Sequence, residues 1–115
     1  MLKGSLFFMK INLKATKFEL TAAIGQYVQD KMDMLDKYLG NTIVTNCDVE
    51  VEKIVGGQNK GDIFRAEVNL SVPHEMLRVE KTAADLYKAI DKVKDHLDEI
   101  IVKYREKARD KRRRS

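Results

Sequence analysis

The longest amphipathic stretch of the chain, from Ala83 to Arg109, is the feature that most restricts its fold. Neither proline nor glycine interrupts it, and at about 1.5 Å per residue it predicts a single helix of roughly 40 Å. Its apolar residues recur at spacings of three and four, the period of one helical face, and they are Leu86, Ile90, Val93, Leu97, Ile100, Ile101 and Tyr104. The rest of the chain is therefore expected to supply the layer on which this face packs.

One flank of the predicted helix, beside the apolar face, is rich in cations. It carries Lys88, Lys92, His96, Lys103 and Lys107, with Asp85 and Glu99 among them. A helix of this kind could pack on a core and still face an anionic partner. The alternative is a solvated face with ion pairs inside the helix, and on this stretch alone that alternative is favoured.

Composition predicts one globular domain. A chain of 115 residues can form a single modest core. With 43% hydrophobic and 35% charged residues, it suggests neither disorder nor residence in a membrane. No apolar run approaches the roughly 18 to 20 residues of a membrane-spanning helix. The single cysteine, Cys47, excludes an intramolecular disulfide and fits a reducing compartment, so a cytoplasmic protein is expected.

The formal charge of +4 is concentrated near the C-terminus. Between residues 103 and 115 there are eight Lys or Arg and two acidic residues, whereas the rest of the chain carries fourteen basic and sixteen acidic residues. We expect residues 1–8 to be an extension that could join the first strand, 9–109 to form a single domain, and 110–115 to be a basic, disordered tail. Whether Met1 or Met9 is the true start stays open.

The remaining segments alternate in ways typical of short strands and one further helix. In order, the sequence predicts a strand over Phe7–Ala15, a helix over Ala22–Leu39, and strands over Ile43–Val55, Ile63–Val72 and Glu75–Lys81. Thr21 is a natural N-cap for the first helix, and Gly40 ends it. The glycine-rich stretch 56–61 predicts a flexible hairpin connection, and Pro73 ends the third strand.

This order of elements predicts an α+β two-layer sandwich with βαβββα topology. The first helix is long enough to be a right-handed crossover between two parallel strands, and the later strands can form an antiparallel meander. Each strand has one polar face, so both helices are expected on the same side of a four-stranded mixed sheet. The other face of the sheet is then open to solvent.

Catalysis has little support in the sequence, and we predict no enzyme, metal, cofactor or small-molecule substrate. His74 and His96 lie far apart without ligand-spaced Cys or His nearby, and Cys47 is at an inward strand position typical of an inert thiol. Three carboxylates, Asp48, Glu50 and Glu52, share one strand face, with Arg65 and Arg78 available across the hairpin. A solvated charge ladder explains them better than an acid–base pair.

RNA binding is better supported, because cations of the long helix and the tail could neutralise phosphates. The first strand and helix add Lys10, Lys14, Lys17, Lys31 and Lys37. Lys31 projects into an apolar stripe, where it could simply extend to water at the edge of the core. The aromatic residues are expected mostly on core faces, so such a surface would recognise backbone and shape rather than bases.

Three strings resemble a known family. MKINLKATKFELTAAIGQYVQDKMDMLDKYL (Met9–Leu39) resembles the opening strand and helix of the short form of the ribosome hibernation promoting factor family, also called ribosome-associated inhibitors or the sigma-54 modulation protein family. VEVEK (Val49–Lys53) resembles its second strand, and DLYKAIDKVKDHLDEIIVKYREK (Asp85–Lys107) resembles its final helix. The resemblance covers Met9 to Arg109.

The resemblance implies a fold similar to double-stranded RNA-binding domains. It also implies binding to the small ribosomal subunit, its rRNA and whole ribosomes, where mRNA and tRNA would pass, so that translation is blocked in stationary phase or stress. The positions that match the family's basic surface are Lys31, Lys37, Lys81, Lys88, Lys92 and Lys94. To these the charge pattern adds Lys103, Lys107, Arg109, Arg112, Arg113 and Arg114 as candidate RNA-binding residues.

The sequence departs from that expectation in one respect, the acidic residues of the long helix. Asp91, Asp95, Asp98 and Glu99 would lie among its cations, and the basic tail is expected to compensate by following the RNA. Longer family members carry a second, dimerising domain, and whether this chain promotes ribosome dimers or silences single ribosomes stays open.

Two other functions are compatible with the pattern. The chain could be a non-ribosomal adaptor that binds another protein through the open sheet face or a sheet edge. It could also bind free double-stranded RNA. Salt dependence separates the adaptor from both RNA-binding functions, because phosphate contacts weaken steeply as salt rises.

Overall fold

The computed structural model describes residues 8–54 and 63–114. Its elements are β1 (Asn12–Thr16), α1 (Ala22–Asp33), α2 (Asp36–Leu39), β2 (Asn46–Lys53), β3 (Phe64–Val72), β4 (Glu75–Ala83) and α3 (Leu86–Arg114). The predicted hairpin connection over 56–61 and most of the N-terminal extension lie outside the described residues. Strand and helix follow one another in the predicted order, except that the first helix is divided into α1 and α2.

The four strands form one sheet in the order β1-β2-β3-β4. β1 and β2 are parallel, and the other two pairs are antiparallel. The register aligns Leu13 with Val49, Val49 with Val68, and Val68 with Val79 across the whole sheet. The predicted mixed sheet and α+β fold are therefore confirmed.

One face of the sheet is buried under the helices. On β2 the inward residues Cys47, Val49 and Val51 alternate with polar residues, as period-2 alternation requires. α1 contributes Val28 and Met32 to the core. α3 contributes Leu86, Ala89, Ile90, Val93, Leu97 and Ile101. All of these belong to a single core cluster, so α1 and α3 cover the same side of the sheet.

The first helix is shorter than predicted and is followed by a separate turn of helix. α1 ends at Asp33, and the chain turns through Met34 and Leu35 before α2. The turn contains a three-residue hydrogen bond, from the Leu35 amide to the Met32 carbonyl at 3.0 Å. This change of direction lets Met32, Leu35 and Leu39 all point into the core.

The first strand begins later than predicted because α1 engages the backbone that precedes it. The Met9 amide donates to Asp33 Oδ1 at 2.9 Å, and Gln29 Nε2 donates to the Met9 carbonyl at 2.7 Å. Pairing with β2 starts only at Asn12. The Met9 side chain is nevertheless buried in the core.

The long helix begins later and ends later than predicted. Ala83 still belongs to β4, and Asp85 caps α3, with its Oδ1 accepting from the Tyr87 amide at 2.7 Å. The helix then continues to Arg114, so the prediction of a disordered tail from Asp110 is corrected. Good helix formers without glycine or proline favour the extension, and cations in the last turn interact favourably with the helix dipole.

Candidate nucleic-acid interface

The groove where α1 and α2 meet α3, which we call the helix seam, holds several of the candidate cations. Lys31 Nζ lies 3.2 Å from Asp91 Oδ1 across it. Tyr27 donates its hydroxyl to the same oxygen at 2.6 Å, and this hydrogen bond, together with burial, raises the pKa of Tyr27 to about 12. Lys31 is therefore held against α3 by an internal ion pair, and a phosphate would have to compete with Asp91 for it.

Lys94 lies deeper in the helix seam. Its Nζ is 2.9 Å from Asp98 Oδ2, and the two side chains are only 12% and 14% exposed. The ammonium groups of Lys94 and Lys37 lie 5.7 Å and 5.3 Å from the centre of the Tyr38 ring. Of these two lysines only Lys37 is exposed. The position of Lys94 favours a role in joining α2 to α3 over direct contact with RNA.

The candidates near the start of α3 lie at or near the β4 edge. Lys92 Nζ donates to the Thr82 carbonyl at 3.0 Å and so ties the helix to the strand. Lys81 is half-buried on β4, whereas Lys88 is exposed in the first turns of α3. The predicted cationic flank is thus partly engaged with the sheet, and Lys88 stays accessible.

The second half of α3 exposes cations on two sides. Toward β4, Lys107 lies 3.4 Å from Glu75, and Lys103, Lys107, Lys111 and Arg114 line a shallow groove with Glu106 and Asp110. Toward α2, Arg105, Arg109 and Arg112 lie together. Arg113 is also exposed. The last turns of α3 extend beyond Ile101, the final buried residue of the helix, so these side chains surround a solvated helix end.

Arg105 is a functional candidate that sequence reasoning missed. Its Nη1 donates to the Tyr38 carbonyl at 2.9 Å, at the end of α2. The spacing of four and three residues that joins Arg105 to Arg109 and Arg112 was visible in the sequence and could have identified it. The separate helix α2, to which Arg105 is hydrogen-bonded, was not predicted, because the sequence pattern of Ala22–Leu39 favours one continuous helix.

Tyr87 is a second residue that was missed. The aromatic side chains were expected mostly on core faces, but Tyr87 is 39% exposed at the start of α3. Its ring packs edge-to-face on Tyr27 at a centroid distance of 4.7 Å. An exposed aromatic ring beside Lys88 offers a surface on which an unpaired base can stack.

The open face of the sheet is acidic and internally paired. Arg65 lies at its centre, with Glu52 at 2.7 Å, Glu67 at 2.8 Å, Glu50 at 2.9 Å and Glu80 at 3.3 Å. Hydrogen bonds from Thr16 and Arg65 lower the pKa of Glu50, and the bond from Arg65 does the same for Glu67 against the effect of burial. Both carboxylates are thus held ionised. This is the predicted charge ladder, and neither group keeps a proton to donate at neutral pH.

The other candidate reactive groups are Cys47, His74 and His96. Burial, aided by Asp48, raises the pKa of the Cys47 thiol to about 12, so the thiolate is scarce at neutral pH. His74 is exposed in the β3–β4 turn, and His96 is half-buried on α3. Within residues 8–54 and 63–114, no group of three or more His, Cys, Asp or Glu could hold a metal ion. None of the helices in that part of the chain is long and apolar enough to cross a membrane.

Comparison with known proteins identifies relatives of this chain. The family described as sigma 54 modulation protein / S30EA ribosomal protein matches residues 11–109. A ribosome hibernation promotion factor of Lactococcus lactis is 35% identical over 101 residues, which cover 84% of this chain and 50% of the relative. A ribosome hibernation promoting factor of Azotobacter vinelandii is 27% identical, with 86% and 85% covered. The chain spans about half the length of the first curated relatives that it matches.

Solved structures show the same fold. The N-terminal domain of Protein Y from Thermus thermophilus superposes with a TM-score of 0.69 at 31% identity, covering 84% of this chain and 99% of that domain. A ribosomal subunit interface protein from Coxiella burnetii gives the same TM-score of 0.69 at 16% identity, which shows the fold alone. With the family match extending over nearly the whole chain, the protein belongs to the sigma 54 modulation protein / S30EA ribosomal protein family.

Proposed function

We propose that this chain is a ribosome hibernation factor that binds the small ribosomal subunit in the channel for mRNA and tRNA. By occupying that channel it blocks translation under stress or in stationary phase, and it acts in the cytoplasm on the subunit and on whole ribosomes. Its family membership and the names of its curated relatives support this role.

The observation that carries the proposal is the separation of charge between the two faces of the molecule. The helix layer presents exposed cations along α3 and on α2, whereas the open sheet face presents a carboxylate cluster around Arg65. RNA phosphates are attracted to the first face and repelled by the second. We therefore propose that the helix layer faces the rRNA and that the sheet faces away from it.

Occlusion of this kind needs no chemical step. The protein has to fill space and hold its position, and phosphate contacts do this without reading a base sequence. We assign direct contacts first to the exposed candidates, which are Lys37, Lys88, Lys103, Arg109, Arg112, Arg113 and Arg114. Lys31, Lys81, Lys92, Lys94 and Lys107 are half-buried or engaged by other protein groups, and we assign them supporting roles in placing the helices.

The decisive experiment is co-sedimentation of the purified protein with vacant ribosomes and with separated subunits, at low and then raised salt. The proposal predicts saturable binding to small subunits and whole ribosomes that is lost when mRNA and tRNA are added. Absence of binding at low salt would overturn it.

A charge-reversal pair tests the assigned face. Lys88→Glu with Lys92→Glu should abolish the binding. Lys14→Glu with Lys53→Glu is the matched control, since it changes the net charge equally but alters exposed residues of β1 and β2 instead. The thermal unfolding of both double variants should be recorded, because Lys92 also bonds to the Thr82 carbonyl. Equal loss in both would show that net charge, rather than this face, drives binding.

The alternative adaptor role has less support from the structure. The acids of the open sheet face already make ion pairs within the sheet, so this face offers a partner few unsatisfied groups. The remaining alternative, a binder of free double-stranded RNA, predicts affinity for a naked RNA duplex in the absence of ribosomes. A binding titration with such a duplex separates it from the ribosomal role.

A further inference from the structure

A pocket of about 330 Å³ lies between the loop after α2 and the last turns of α3. Its lining is formed by Asn41, Thr42, Val102, Arg105, Glu106, Arg109 and Arg112. We propose that this arginine pocket is a binding site for a phosphate group and that a backbone phosphate of RNA occupies it. The choice of RNA as the source of the phosphate rests on the proposed function, whereas the phosphate site itself rests on the arrangement of the three arginines.

The three arginines converge because of their spacing on one helix. Positions separated by four and three residues lie on the same helical face, so Arg105, Arg109 and Arg112 project toward the same side of α3. Over these seven residues the helix rises by about 10 Å. Side chains of this length can fold inward from both ends of such a row onto one ligand. The planar guanidinium group can also bind phosphate oxygens through two parallel hydrogen bonds.

Contacts with Tyr38 and Gly40 hold the Arg105 side chain in place without a ligand. One of its N–H groups donates to the Tyr38 carbonyl, which leaves other donors of the five on the guanidinium for a ligand. Its guanidinium lies against Gly40, where a Cβ atom would sit 2.7 Å from Nη2. Gly40 has φ +59°, so glycine both permits the turn and leaves room for the arginine. An oriented guanidinium loses less conformational entropy on binding.

The charge in the pocket is largely uncompensated. Among the described residues, no carboxylate lies within 4 Å of the guanidinium of Arg105 or Arg112, and Arg109 reaches Asp110 only at 4.0 Å. Glu106 is the single acidic residue of the lining, against three arginines. Lys31 and Lys94 differ from these arginines, since each already has an aspartate partner. The arginine pocket therefore has more positive charge free for a ligand than Lys31 and Lys94 have.

The loop side supplies neutral groups that suit a nucleotide. The Asn41 amide and the Thr42 hydroxyl can each donate a hydrogen bond to a phosphate oxygen. Val102 is partly exposed in the same lining and offers an apolar contact for a ribose. Because of this mixture of donors with one apolar residue, the site fits a phosphate within a polynucleotide better than an isolated anion.

The first test uses the free protein and needs no ribosome. Inorganic phosphate and a short uridine oligonucleotide are titrated separately at constant ionic strength, and the amide and arginine side-chain NMR signals are followed. The proposal predicts saturable shifts of Asn41, Thr42 and the three arginines, with tighter binding of the oligonucleotide. These shifts should disappear in Arg109→Gln with Arg112→Gln. Shifts spread evenly over all cations of α3, or shifts that persist in the double variant, would overturn the proposal.

The second test measures binding to small ribosomal subunits. Arg109→Gln with Arg112→Gln should weaken binding by at least about tenfold and reduce the slope of log affinity against log salt by about 0.7 to 0.9, the value for the one phosphate contact that the pocket makes. Lys14→Gln with Lys53→Gln is the matched control, because it removes the same charge from exposed positions of β1 and β2 that carry no assigned RNA contact, and it should have the smaller effect. Equal effects of the two pairs would overturn the arginine pocket.

The two tests separate the pocket from the proposed function. If the unaltered protein does not bind subunits at all, the ribosomal role fails, and the NMR titration still decides on the phosphate site. If it binds but the pocket variant binds equally well, the site is refuted and the ribosomal role stands.

Discussion

At the scale of single residues, Gly25 and Gly40 differ in whether the local structure requires a glycine. Gly25 lies inside α1, and a Cβ atom built there would meet no atom of the described residues within 4 Å. Gly40 ends α2 with φ +59° and ψ −125°, a conformation that residues with a side chain rarely adopt, and Arg105 fills the space beside it. Gly25 therefore costs helix stability without a compensating contact, whereas Gly40 is required by the turn.

This contrast predicts opposite effects of alanine on stability. Gly25→Ala should raise the free energy of unfolding by about 0.5 to 1 kcal/mol, because alanine loses less backbone entropy in a helix. Gly40→Ala should lower it by about 1 to 3 kcal/mol through backbone strain, and it should also displace Arg105. Urea unfolding of both variants measures the two effects. Stabilisation by Gly40→Ala would contradict the turn geometry.

Cys47 gives a second prediction at this scale. Its thiol is fully buried, and burial raises its pKa to about 12, so alkylation by iodoacetamide at neutral pH should be very slow in the native protein. The thiol should react at an ordinary rate once urea unfolds the chain. Mass spectrometry over time follows both reactions. Rapid modification of the folded protein would show that the thiol is accessible.

At the scale of elements, Arg65 joins three strands. From β3 it reaches Glu50 and Glu52 on β2 and Glu80 on β4, while Glu67 on its own strand is shared with Arg78. The Arg65 side chain is 16% exposed, so these contacts are partly shielded from water and are stronger than exposed ion pairs. The sheet is therefore held together on its open face by charge and on its other face by apolar packing.

Replacing Arg65 should give a pH-dependent loss of stability. The pKa values of Glu50 and Glu67 are lowered in the fold, so their contribution is complete above the unfolded value of about 4.3 and is lost as the pH falls through the folded values. Arg65→Met should cost about 3 kcal/mol at neutral pH, because it leaves clustered carboxylates unpaired. The difference from the unaltered protein should shrink at low pH, as the pH falls through the lowered pKa values of these carboxylates and they become protonated.

Denaturant unfolding at both pH values checks this expectation. Arg78→Met is the control: its side chain is 66% exposed and, among the described residues, its ion pair is with Glu67 alone, so it should cost about 1 kcal/mol or less. A penalty for Arg65→Met that is the same at low and neutral pH would mean that packing of the alkyl chain, and not charge, is what the residue contributes.

At the scale of the whole molecule, charge is divided between two faces and along one helix. The sheet face is acidic, the helix layer is mixed, and the end of α3 is strongly basic. The acidic residues of α3 that seemed out of place for an RNA-binding helix are partly explained, since Asp91 and Asp98 hold Lys31 and Lys94 in the helix seam. They contribute to the assembly of the helix layer.

This division predicts a specific salt dependence. If the helix layer alone contacts rRNA, the logarithm of the affinity for small subunits should fall linearly with the logarithm of salt concentration. Glu52→Gln with Glu80→Gln on the sheet face should leave that slope unchanged. Sedimentation over a series of salt concentrations measures it. A change of slope in this pair would place the sheet face at the RNA.

Much of the fold could be predicted because it depends on local periodicity. Alternation in Cys47, Val49 and Val51 and the three- and four-residue spacing of α3 determine which faces are buried, and burial of those faces leaves few arrangements for four strands and two long helices. Element ends were less predictable. The break after α1 depends on how Leu35 fits the core, and the start of β1 depends on bonds between Met9 and α1.

The sequence by itself determined the element order, the core faces and which residues carry positive charge. Only the tertiary structure decided which of those charges are available. Lys31 of α1 is paired with Asp91 of α3, and Arg105 of α3 donates to the Tyr38 carbonyl at the end of α2, a partner 67 positions away. The physical reason is that periodicity acts between neighbours in the chain, whereas the partner of a charged group is set by packing between distant elements.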